Sequence, residues 1–87
     1  MYSILPYTKA RAKELGVRIK PSKKKNKKID VLTENGVISI GDKRYKDYPT
    51  YKKYDGTPTA DFRRRLYLLR HKNDMGSAGY YARELLW

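Results

Sequence analysis

Asn35-Gly36, set between two runs in which apolar residues alternate with polar ones, constrains this chain more than any other feature. That pair is the preferred sequence for a two-residue hairpin turn, which needs positive φ at both positions. A turn centred there predicts a hairpin over residues 28–42, with Thr33 opposite Ile38 and Val31 opposite Ile40. Ile29, Val31, Thr33, Ile38 and Ile40 then share one side, the expected core face. Asp30, Leu32, Glu34, Val37 and Ser39 take the other. An isolated hairpin is marginal in water, so another element has to cover it.

The strongest helical pattern supplies a candidate cover. Thr57-Pro58-Thr59-Ala60-Asp61 reads as a helix start, with Thr57 as cap, Pro58 at the first helical position and Asp61 near the positive end of the dipole. The helix is expected to run to about Lys72, and Phe62, Leu66 and Leu69 form its apolar stripe. A second stripe on the same helix holds Arg63, Tyr67 and Arg70, with Arg64, Leu68 and His71 beside it. That guanidinium row either clamps phosphates or carboxylates, because Arg bonds them bidentately, or is a solvated face. Residues 73–76 read as a turn, after which Ser77 can cap a last helix that presents Ala78, Ala82 and Leu85 on one face. The expected architecture is α+β, a single domain over residues 1–87. A β-hairpin is covered by a C-terminal helical pair (residues 57–87), with a short N-terminal helix and a basic loop.

The N-terminal third, residues 1–28, is where the charge sits. The chain carries 21 Lys+Arg against 9 Asp+Glu, a net charge of +12, and between Lys9 and Lys28 Glu14 is the sole acid. Residues 8–17 predict a short helix with Thr8 at its start and Gly16 in the left-handed conformation that ends it. Only Ala12 and Leu15 give it an apolar face. Residues 21–28 have no apolar side chain beyond Pro21 and read as a flexible basic loop, either solvated or in contact with phosphates. Polyanion contact is accordingly assigned to Lys20, Lys23, Lys24, Lys25, Lys27 and Lys28 in the arm and to Arg63, Arg64 and Arg70 in the helix.

Tyrosine recurs every third residue at 45, 48, 51 and 54. An extended segment would line the four rings along one edge, and a helix beginning at Pro49 would bring only Tyr51 and Tyr54 together. The rings either pack over the hairpin or form a stacking or interface surface. Tyr45, Tyr48, Tyr51, Tyr54, Tyr80, Tyr81 and Trp87 are the candidate protein-interface residues, and Trp87 is expected to be docked rather than left in water.

Several classes of function have no residues to carry them. The chain has no cysteine, which removes disulfides, thiol nucleophiles and thiolate metal sites. It has one histidine, His71, and neither a phosphate-cradling glycine loop nor a dinucleotide fingerprint. No catalytic residue, metal or cofactor is assigned, and a non-enzymatic, binding role is expected. No stretch nears the roughly 18–20 apolar residues of a membrane span, and no signal peptide is evident, so the expectation is a soluble, non-secreted protein without membrane or small-molecule partners.

The segments Lys28-Ile29-Asp30-Val31, Ile40-Gly41-Asp42, Tyr45-x-Asp47-Tyr48, Arg64-Arg65-x-Tyr67-x-x-x-His71-Lys72 and Gly76-Ser77-Ala78-Gly79-Tyr80-Tyr81-Ala82-x-x-Leu85-Leu86-Trp87 span nearly the whole chain. Together they resemble the small basic proteins of large double-stranded DNA viruses and some tailed phages. The resemblance implies a setting, the virion or the host cytoplasm before assembly, and no defined activity. Two functional expectations follow. The first is a minor or auxiliary capsid protein, docked to capsid subunits by its aromatic surfaces and reaching acidic protein or packaged double-stranded DNA with its basic arm. The alternative is a soluble nucleic-acid-binding protein without sequence preference.

Overall fold

The computed structural model describes residues 2–73 and 76–87. Its elements in chain order are α1 (Pro6–Leu15), β1 (Arg18–Pro21), β2 (Ile29–Thr33), β3 (Gly36–Ile40), α2 (Tyr48–Asp55), α3 (Thr57–Arg70) and α4 (Ser77–Leu86). The architecture is α+β: a three-stranded antiparallel sheet in the order β1-β2-β3 with helices packed around it.

The hairpin forms with its faces as expected and its register two residues away. Thr33 pairs with Gly36, Val31 with Ile38 and Ile29 with Ile40. The turn therefore lies on Glu34-Asn35, and neither takes positive φ; only Gly36, at φ 126°, does so there. A glycine next to the turn absorbs the twist that a turn on Asn35-Gly36 would otherwise supply. Thr33 fastens this arrangement, its hydroxyl donating to the Gly36 carbonyl at 2.8 Å and accepting from the Asn35 amide at 3.2 Å. Because side chains alternate with a period of two, a two-residue shift leaves each residue on its face. Ile29, Val31 and Ile40 are buried, whereas Val37 is exposed.

Part of the basic segment belongs to the sheet, and the rest is a loop as expected. Arg18-Ile19-Lys20-Pro21 forms an edge strand against β2, with Arg18 and Lys20 outward and Ile19 on the core. Pro21 is tolerated because an edge strand leaves part of its backbone unpaired. Residues 22–28 form a closed turn. The Ser22 amide donates to the Lys28 carbonyl and the Lys28 amide to that of Ile40, both at 3.0 Å, and Ser22 is buried. A Cα radius of gyration of 12.3 Å matches the ~12 Å of a folded chain this long.

The sheet is covered by α4 and α1. Leu85 and Leu86 of α4 and Ala12 of α1 complete the buried cluster with Ile29, Val31 and Ile40. This corrects the expected cover: on α3, Phe62 and Leu69 are exposed and Leu66 is half-buried, while Ala60 and Tyr67 point inward. Packed mainly against α2, that helix shows its apolar stripe to solvent. Thr8 is likewise not a cap. Leu5 precedes the helix, and buried Thr8 donates its hydroxyl to the Leu85 carbonyl at 2.8 Å. Gly16 ends α1 in the left-handed conformation, as expected. Thr57 and Ser77 make no side-chain cap either, since Gly56 and Gly76 hold the cap positions. The expected turn at 73–76 falls partly on residues 74 and 75, outside the described residues.

Candidate functional site

Asp47 starts the part of the molecule that builds a cleft. Its Oδ1 accepts from the Thr50 amide at 3.0 Å and caps α2, with Pro49 in the first turn. Of the two conformations open for the tyrosine run, the helix is the one adopted. Asp47 Oδ2 also accepts from buried Lys28 Nζ at 2.8 Å and from the Tyr2 hydroxyl at 2.6 Å. Lys28, expected in the polyanion-binding set, is therefore inside and tied to a carboxylate.

The C-terminal Trp87 is docked within the domain. Its ring lies parallel to Tyr67 at 4.4 Å between centroids, and Tyr67 stacks in turn on His71 at 4.3 Å. Arg64 holds the backbone there, with Nε donating to the Trp87 main-chain oxygen at 2.7 Å and Nη2 to the Tyr7 hydroxyl at 3.0 Å. Its guanidinium lies 3.7 Å from the centroid of buried Tyr48. Tyr48 donates its hydroxyl to Asp61 Oδ1, and burial together with that bond raises its pKa. Arg64 and Tyr48 are thus structural ties at this position, not surface residues.

In front of this frame lies a cleft of about 550 Å³. Its walls come from the β3–α2 connection (Asp42, Tyr45, Lys46), from α2 (Tyr51), from α3 (Arg63, Tyr67, Arg70), and from His71, Leu86 and Trp87. The stripe Arg63, Tyr67, Arg70 read from helical spacing lines it as a unit. Lys46 Nζ lies 5.6 Å and the Arg63 guanidinium 5.5 Å from the Tyr51 ring centroid. Among the described residues Arg63 and Arg70 make no ion pair, whereas Lys46 meets Asp55 at 2.8 Å in a half-exposed pair. The acid on the wall is neutralised by a neighbour. Arg44 bonds the Asp42 carboxylate through its side chain and its amide, which holds that pKa down to about 2. The cleft is cationic with an aromatic floor.

The basic turn stands beside it. Lys23, Lys24, Lys25 and Lys27 are exposed, the Lys43 amide donates to the Asn26 carbonyl at 3.0 Å, and the charge of Lys27 reaches Asp42. A second hollow of about 430 Å³ adjoins the cleft and shares Lys28, Tyr45 and Lys46 with it. Lys20 is exposed on β1. The expected interface tyrosines are scattered: Tyr45, Tyr54 and Tyr80 are exposed, Tyr51 lines the cleft, and Tyr81 packs on the core. Sequence reasoning misses Lys46 as a wall residue and the ladder that Tyr67 makes with Trp87. The pairing of Tyr67 with His71 is missed too, although the four-residue spacing carries the signal, since residues four apart face each other on a helix.

Among the described residues no cluster of three or more His, Cys, Asp or Glu side chains forms a metal site. No described helix is long and apolar enough to cross a membrane. The arrangement offers cations around flat rings, which suits recognition of a charged ligand that also has a face to stack. No family model matches the chain, and no curated protein or solved structure is significantly similar to it.

Proposed function

We propose that the protein binds nucleic acid without reading its sequence, in the setting of a large double-stranded DNA virus or tailed phage that the resemblance implies. The observation that carries this is the convergence of Lys46, Arg63 and Arg70 on the Trp87–Tyr67–His71 ladder, with the lysine turn beside it. Cations neutralise phosphates whatever the bases are, and aromatic faces accept any base. A titration of the protein with DNA at rising salt tests the proposal. The logarithm of affinity is expected to fall linearly with that of salt, by about 0.7–0.9 per phosphate neutralised, and to vary little among sequences. A salt-independent or strongly sequence-selective titration would overturn it.

A specific observation favours an auxiliary capsid role as the second reading. Phe62 and Leu69 stand on α3 with half their surface or more in solvent, and Leu68 and Tyr54 are also exposed. Such a stripe suits contact with a protein subunit. Quantitative mass spectrometry of purified particles decides it: a fixed stoichiometry matching a symmetric set of sites supports incorporation, and absence removes the reading.

A further inference from the structure

We propose that the cleft between α2, α3 and the end of α4 is a single-strand site, which takes an unpaired nucleotide with its base against the aromatic wall and its phosphate on Arg63 and Arg70. This rests on the reading of the cleft as the nucleic-acid site and adds to it a choice between strands. The argument begins with size. A volume of about 550 Å³ lies in the range of pockets for small ligands, about 300–1,000 Å³. It can admit a nucleotide and cannot admit a duplex. Bases in a duplex are also already stacked on one another, so the aromatic wall could gain nothing from them without extruding one.

The second part of the argument is the composition of the wall. A site for phosphate alone needs cations, and a lysine-rich surface would suffice. Here Trp87 and Tyr51, both half-buried, stand among the cations with centroids 6.3 Å apart, and buried Tyr67 backs Trp87 only 6° from parallel, so the faces left for a base are those of Trp87 and Tyr51. The Trp87 ring is stacked on buried Tyr67 while Arg64 bonds its main-chain oxygen, so the ring is positioned in advance and little side-chain freedom is lost on binding. Lys46 and Arg63 are held over Tyr51 by the ring face itself, an attachment a phosphate can outcompete. Exposed ion pairs are weak, so the Lys46–Asp55 pair also yields readily.

Trp87 is the only tryptophan, so its emission reports directly on the wall. The full chain is titrated with three probes: oligothymidylate of about 12 nucleotides, a duplex of equal length, and inorganic polyphosphate. The expected result is quenching of Trp87 by the oligothymidylate alone, with an affinity about tenfold or more above the other two. The double variant R63Q/R70Q is expected to lose at least about tenfold of that affinity while melting like the wild type, because both side chains are exposed. Equal affinity for all three probes with unchanged emission would overturn the single-strand site and leave phosphate binding standing. Quenching by polyphosphate to the same extent would overturn it too, since the signal would then follow charge. Failure of every probe to bind would remove the broader reading along with it.

Discussion

Lys28 and Asp47 are both almost fully enclosed, with side-chain exposures of 5% and 1%, and they join the start of β2 to the start of α2. Removing one member of such a pair leaves a buried charge without its partner, which costs about 3–5 kcal/mol. D47A also deletes the α2 cap and the acceptor of Tyr2, so a loss at the top of that range is expected in a urea titration. K28M should cost less, because Asp47 keeps its bonds from Tyr2 and Thr50. Equal losses from the two variants would show that the cap and the Tyr2 bond contribute nothing. Burial, then the bond to Asp47, raises the pKa of the Tyr2 phenol. The folded state therefore holds that proton more tightly than the unfolded state does. Its contribution is complete below about pH 10 and is lost as pH rises further, a loss that Y2F should abolish in alkaline unfolding curves.

At the scale of elements, the molecule depends on how α4 meets the sheet. Gly41 leaves β3 at φ 82°, and a Cβ there would stand 2.9 Å from Leu86 Cδ1 and 3.0 Å from Lys28 Cβ. G41A combines backbone strain with overpacking, each about 1–3 kcal/mol, so a loss of at least about 2 kcal/mol is expected in thermal or chemical melts. At Gly36 nothing lies within 4 Å of a built Cβ, so G36A meets strain alone and should cost less. The two C-terminal helices should respond in opposite ways to substitution. L86A empties the buried cluster and is expected to cost about 2–5 kcal/mol. L69S changes an exposed side chain on α3 and should stay within about 0.5 kcal/mol of wild type. Were L69S to destabilise the isolated chain as much as L86A, the assignment of α4 rather than α3 to the sheet would fall.

For the whole molecule, the charge of +12 acts on folding and on binding with opposite signs in salt. Self-repulsion opposes the compact state, so screening should raise the melting temperature between low and moderate ionic strength. The same salt should weaken the proposed nucleic-acid binding, because each condensed counterion released gains less entropy in a more concentrated solution. Parallel melting and binding series in one buffer set check both at once; a melting temperature that falls with salt would mean that the ion pairs outweigh the repulsion. Acid acts through the carboxylates. Asp42, held to about pKa 2 first by the Arg44 side chain, binds its proton less readily folded than unfolded. Its stabilisation is present above about pH 4 and disappears as pH falls through about 2, so D42N should flatten that part of the acid unfolding curve.

The sequence by itself determined the features that depend on neighbouring residues. Alternation along 29–33 and 36–40 set which side chains face the core, Gly16 set the end of α1, and the spacing of Arg63, Tyr67 and Arg70 placed three wall residues on one helical stripe. Backbone sterics and side-chain period fix these within a few residues, whatever the rest of the chain does. Only the tertiary structure decided which apolar stripe is buried, since Phe62, Leu66 and Leu69 are as suitable a cover in composition as Leu85 and Leu86. It alone distinguished Lys28, paired inside with Asp47, from the exposed Lys27 next to it, and it turned Arg18-Ile19-Lys20-Pro21 from a charged arm into an edge strand. Each of these outcomes depends on a partner far along the chain, and partner choice is settled by shape and by hydrogen-bond satisfaction across the packed interior, which no local pattern encodes.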